Sequence, residues 1–149
     1  MTRIEASTVI HAPADLVFAA VTDPRRTTEW NPNIMEVSEA SPLPPQEGTS
    51  WTQVALLAGR RVKLSCKIVR FQPPVEGDLE VSGDQRARIR TVCRPDAAGT
   101  VVTQTIDFTP PAGILGRMAA QVMGNALRHE MERTLERQRE TLEREARSG

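Results

Sequence analysis

The chain has 149 residues, with 19 basic and 19 acidic side chains, two histidines and two cysteines. That length suits one domain over 1–149, able to withdraw roughly two-thirds of its unfolded surface from water. The charge balance gives no global field to draw the protein to nucleic acid or an anionic membrane, and two cysteines are too few for a disulfide framework or a metal cluster.

Residues 3–10 (RIEASTVI) alternate, with Ile4, Ala6, Thr8 and Ile10 on one face, and predict a first strand. This alternation stands where a secretory leader would be continuously apolar, and every apolar run is far shorter than the roughly 20 residues of a membrane span. A cytoplasmic protein is therefore expected. Pro13 suits the first turn of a helix, where its missing N–H is harmless, and Asp15 favours the positive helix end. Leu16, Val17, Ala20 and Val21 form the expected buried stripe. A second short helix is predicted from Asp23-Pro24, a cap followed by a good first residue, to about Trp30-Asn31-Pro32.

From Ile34 to Phe108 the period becomes two, with breaks at Pro42 to Pro45, Gly59, Pro73-Pro74, Gly83-Asp84 and Pro95 to Gly99. About six strands result, and their short connections predict antiparallel hairpins and no βαβ crossovers. Val62, Leu64, Cys66 and Ile68 alternate with charged or polar neighbours, as do Leu79 and Val81, and Ala87, Ile89, Thr91 and Cys93. One face is thus apolar and needs a helix over it.

The cover is the segment from Ile114 to about Arg147, helical by composition and spacing. At about 100° per residue, Leu115, Met118, Ala119, Val122 and Ala126 share one direction, while Leu127, Met131, Leu135, Gln138 and Leu142 lie roughly 160° away. One straight helix cannot present both stripes to one sheet. A kink, bulge or break is therefore predicted between about Met123 and Ala126, with Gly124 at the change.

The basic residues of 60–94 do not read as a nucleic-acid stripe. Arg61, Lys63 and Lys67 lie on one strand, Asp78 and Glu80 on the next, and Arg86, Arg88 and Arg90 on the third, so cross-strand pairing neutralises them and no aromatic residue interleaves for base stacking. Cys66 and Cys93 share the inward pattern with one strand between theirs, which separates them by about 9 to 10 Å, beyond disulfide reach. They read as small apolar fillers or cavity lining. His11 and His129 do not complete a zinc site with these cysteines, and no phosphate loop, nucleophile elbow or HExxH helix occurs, so neither a metal nor a cofactor is expected.

Gln104 shares an inward face with Val102, Ile106 and Phe108, and a buried amide needs partners. It either orients a ligand or satisfies neighbouring backbone or water. Trp30 and Trp51 are the largest apolar surfaces in a chain without tyrosine, and serve as core or as binding platform. The charged exterior of the last helix has four-residue pairs such as Arg139 with Glu143, and its apolar repeat past Leu127 is short for a coiled coil.

The order strand, two short helices, six strands, long helix resembles the START-like (SRPBCC) superfamily of helix-grip domains, and within it the polyketide cyclase/dehydrase branch. The resemblance rests on VIHAPADLVFAAVTDPRRTTEWNPN at 9–33, the Gly48-Thr49 turn, RVKLSCKIVRFQPP at 61–74, GTVVTQTIDF at 99–108 and MERTLERQRETLE at 131–143. It implies an α+β fold in which a seven-stranded curved antiparallel sheet wraps a long C-terminal helix around a cavity for lipids, sterols, polyketides or other apolar molecules. It implies no shared catalytic set, and the chain has no tyrosine and no evident inward arginine of the kind ring-closing members use.

Three functions are consistent with this reading. The first is a protein that binds or carries a hydrophobic small molecule. Its expected lining is Trp51, Leu64, Cys66, Ile89, Thr91, Gln104 and Ile106 on the sheet, Met118, Val122 and Met131 on the helix, His129 as a polar contact, and Trp30 closing one end. The second is a cyclase/dehydrase-type enzyme using the same cavity, with His129 as the titrating group on the long helix. The third is an interaction module using the terminal helix, in a chain expected to be a monomer or homodimer.

Overall fold

The computed structural model describes residues 2–57, 59–109 and 116–148, with side chains from 121 onward in the last segment. The elements are β1 (Thr2–Ile10), α1 (Ala14–Val21), a 3-10 turn (Pro24–Arg26), α2 (Thr27–Trp30), β2 (Ile34–Val37), β3 (Ser50–Leu57), β4 (Arg60–Gln72), β5 (Glu76–Gly83), β6 (Arg86–Asp96), β7 (Gly99–Thr109) and α3 (Gly116–Ser148). All strand pairs are antiparallel, in the order β1-β7-β6-β5-β4-β3-β2. The sheet curls around α3, an α+β helix-grip fold. No helix among the described residues is long and apolar enough to cross a membrane.

The first strand passes into α1 through a tight corner. Gly99 opens β7 at φ +143°, and a Cβ there would run into the Ile10 carbonyl. Next to it the Thr100 hydroxyl donates to the Ala12 carbonyl at 2.7 Å, so the corner is fastened from the sheet. Pro13 stands one place earlier than expected. It caps α1 in an extended conformation, and its carbonyl accepts from the Val17 N–H at 3.0 Å. The stripe of α1 is also turned: Leu16 is 58% exposed, while Val17, Phe18 and Ala20 are buried. Phe18 takes the inward place because its ring meets Phe71 at 5.3 Å between centroids. The Asp23 carboxylate caps the following turn by accepting from the Arg25 N–H at 2.9 Å.

On α3 the second stripe is the buried one: Met131, Leu135, Gln138 and Leu142 are covered. The expected kink or break is absent as a break, because the helical backbone runs uninterrupted through 123–126. Gly124 explains this. It is buried against the sheet edge, and a Cβ added there would lie 3.9 Å from Thr2 and Ile4 and 4.0 Å from Phe108. The small residue lets a continuous helix lie close to β1, and of the other stripe the described members Val122 and Ala126 are exposed, Val122 at 68%. The predicted start at Ile114 lies outside the described residues.

The convex face is charged as the alternation requires, and β5 lies between β4 and β6. Its Asp78 is buried between strands and accepts from Arg88 Nη2 at 3.0 Å and from Arg90 Nε at 3.1 Å. Burial opposes ionisation of this carboxyl, but the hydrogen bonds and charges of Arg90 and Arg88 outweigh it and hold the group below its ordinary range. A folded-state value below the unfolded one means stability that is present above about pH 4 and lost as pH falls through the folded value. Asp78→Asn should therefore cost about 1–2 kcal/mol at pH 7 in urea denaturation and flatten the loss of stability below about pH 5. An unchanged acid limb would remove Asp78 from the account.

Candidate ligand cavity

A cavity of about 910 Å³ lies between the concave face of the sheet and α3. It exists because α3 makes its main contacts with β1 at one edge and with α2, so the apolar inner face of the middle strands is left without a close partner. Strand register sets its floor in rows. Ile68, Leu79, Ile89 and Ile106 are successive cross-strand partners on β4, β5, β6 and β7, and all four line the cavity. The parallel row Phe71, Gly77, Thr91 and Gln104 does the same. A Cβ at Gly77 would stand 3.7 Å from both Phe18 and Phe71, so the bare backbone makes room for the phenyl pair that backs this row.

Trp30, at 3% exposure, forms part of the wall from α2. The Arg26 guanidinium covers its ring at 4.9 Å from the centroid and reaches Glu145 at 2.6 Å, which ties α2 to the last turns of α3. Trp51 donates its indole N–H to Gln53 Oε1 at 3.0 Å, so this ring is satisfied from its own strand. Polar groups interrupt this wall: Thr91 and Gln104 are partners across β6 and β7, Gln53 and Gln85 stand elsewhere on the sheet side, Asn31 and Asn33 follow α2, and α3 adds Glu130, Thr134 and Gln138. Burial is the main influence on the Glu130 carboxyl and raises it above its ordinary range, against smaller opposing effects of Asn33, Arg133 and His129.

Of the residues expected to line the site, Trp30, Trp51, Leu64, Ile89, Thr91, Gln104, Ile106, Val122 and Met131 border the cavity. Two do not. Cys66 is buried at 2% exposure in a cluster with Trp51, Leu64 and Val81, because these larger neighbours cover its short side chain. His129 is exposed and off the wall, since it lies about 200° around α3 from the buried Met131. It follows the direction of Val122, which itself is largely exposed. The side chain of Met118 lies outside the described residues. Burial pushes both thiols, Cys66 and Cys93, up to about 12, so they are protonated at neutral pH and lack activated character. Among the described residues no group of three or more His, Cys, Asp or Glu is placed to hold a metal.

Sequence reasoning missed Glu130, Thr134, Gln53, Asn31 and Asn33 as lining. The signal for Glu130 and Thr134 was their four-residue spacing to Gln138, itself assigned to the buried stripe: 130, 134 and 138 stack on one helical face.

Comparison with known proteins places this geometry. No match was found among curated proteins. Among solved structures, TTHA0849 from Thermus thermophilus is similar with TM-score 0.81 at 18% identity, covering 93% of this chain and 95% of that one. A START superfamily protein from Mycobacterium smegmatis is similar with TM-score 0.77 at 16% identity, covering 94% and 98%. The Polyketide_cyc-like protein Cgl2372 from Corynebacterium glutamicum gives TM-score 0.65 at 23% identity, covering 96% and 92%. These likenesses show the fold. Residues 1–143 match the family described as "Polyketide cyclase / dehydrase and lipid transport", and the chain belongs to that family, within the START-like (SRPBCC) proteins.

Proposed function

We propose that the protein binds a hydrophobic small molecule, such as a lipid or a polyketide, in the cavity under α3. The observation that carries this reading is a volume of about 910 Å³ lined mainly by Trp, Ile, Leu, Val, Phe and Met side chains, within the range of drug-sized ligand sites. Transfer of an apolar body from water to such a surface supplies affinity at roughly 25 cal/mol per Å² buried, and the polar groups set its orientation. Carriage between sites asks nothing more of the residues than binding and release.

Native mass spectrometry of the protein as purified tests this directly. One retained small molecule, released on activation and extractable into organic solvent, is the expected result. Absence of any adduct, together with failure to take up an apolar fluorescent probe, would end the reading.

The half-buried Glu130 favours a second reading, a cyclase/dehydrase-type enzyme in which that carboxyl moves a proton in the cavity. His129 is withdrawn from this role by its exposure. If the second reading holds, the extracted ligand or its precursor changes mass on incubation with the protein, and Glu130→Gln stops the change while binding persists. A ligand recovered unchanged favours the carrier.

A further inference from the structure

Along α3 the lining runs from Val122, 68% exposed, to Gln138, 3% exposed, so its helix side has an exposed end and a buried end. At the buried end the Gln138 side-chain oxygen has no hydrogen-bond partner among the described residues. Buried amides are rarely left so, and a half-turn about the last side-chain bond presents either the carbonyl or the NH2 toward the cavity. One turn nearer the exposed end stands Thr134, also buried, and one turn further Glu130. The three form a polar edge with about 6 Å between successive groups. The sheet side of the wall carries the apolar row Ile68, Leu79, Ile89 and Ile106, with Thr91 and Gln104 in the row beside it.

Charge narrows the choice further. Among the described residues the wall carries Glu130 and Asp78 as its only ionisable acids and no Lys, Arg or His. Asp78 is engaged by Arg88 and Arg90 on the convex side. An anionic ligand would thus lose its hydration with no cation in the described wall to receive it, a cost that burial makes severe.

We infer that the ligand is uncharged and carries a hydroxyl or N–H group at its leading end, which Gln138 receives at the buried end of the helix wall. This rests on the cavity-binding reading above and deepens it. It separates hydroxylated apolar molecules, whose donors run along one edge, from free fatty acids and phosphate-bearing lipids.

Three fluorescent probes on one skeleton test it: 1-pyrenebutanol, 1-butylpyrene and 1-pyrenebutyrate, titrated at about pH 7.5, where the carboxylate probe is ionised. The alcohol should bind about tenfold more tightly than the carboxylate. Gln138→Met, which keeps the volume and removes the amide, should weaken the alcohol about fivefold and leave butylpyrene unchanged. The ligand-free variant should melt no lower than the parent, because it loses an unpaired buried group. Should that variant not fold, Gln138→Leu serves in its place, with a similar loss for the alcohol alone. Carboxylate binding equal to alcohol binding would overturn the inference, as would a Gln138→Met effect shared by all three probes or a lowered melting temperature, which would mark the amide as structural. If an internal water satisfies Gln138, the variant leaves the alcohol's affinity untouched, and that result also overturns it. Failure of all three probes to bind the parent protein is different: it removes the cavity-binding reading itself.

Discussion

Replacing Ile89 and Ile106 together by tryptophan is expected to abolish ligand uptake and preserve the fold. The two residues are direct partners across β6 and β7, both border the cavity, and both are only partly buried by protein. Two indoles placed there project into open volume, so they avoid most of the overpacking strain, about 1–3 kcal/mol, that such enlargement causes in a filled core. They occupy the middle of the floor, where an apolar ligand must lie. Affinity for 1-pyrenebutanol should fall by at least about tenfold, the equivalent of about 1.4 kcal/mol, with circular dichroism and melting temperature near those of the parent. Undiminished affinity in a folded double variant would locate the ligand elsewhere on the molecule.

Phe108→Ala is expected to be the most destabilising single truncation. Phe108 is 1% exposed, belongs to the larger core cluster with Ile4, Val102, Met131 and Leu135, and lies beside Gly124 where α3 approaches the sheet. Loss of a buried phenyl costs about 3–5 kcal/mol, through lost transfer energy and the void left behind. In a chain of this size that lowers the melting temperature by about 10 °C. Amide hydrogen exchange should show the first described turns of α3 losing protection more than β4 or β5. A loss below about 1 kcal/mol would mean that α3 closes over the gap unaided.

The sheet was legible because its alternation is regular and its breakers are strong. Residues 62–68 and 87–93 could be assigned to faces from period two alone, and Thr91 and Gln104 came out on the cavity wall. What alternation cannot give is depth. It places Cys66 inward but is silent on whether Trp51 and Val81 reach past it, which they do. The helix was harder, because its two stripes each fit a covering role and nothing local says which one the sheet will take. Gly124 reads as a point of weakness on propensity grounds. Its neighbours Thr2 and Ile4 stand at the other end of the chain and Phe108 on the preceding strand, and contacts so distant in sequence leave no local signal. His129 was misplaced for the same reason, since its direction was measured from Met118 and Val122, and Val122 is largely exposed. Leu16 and Phe18 exchanged places because the Phe71 ring that selects between them sits on a strand far along the chain.

The two thiols divide the interior between them. Cys93 belongs to the cluster gripped by α1 and α3, and Cys66 to the cluster on the other side, around Trp51 and Ala55. Each half of the molecule therefore holds its own sealed reporter, shielded from alkylating reagents until that half opens. The rates at which the two sulfurs are modified compare how often each half breathes, and a ligand that bridges the halves must slow both.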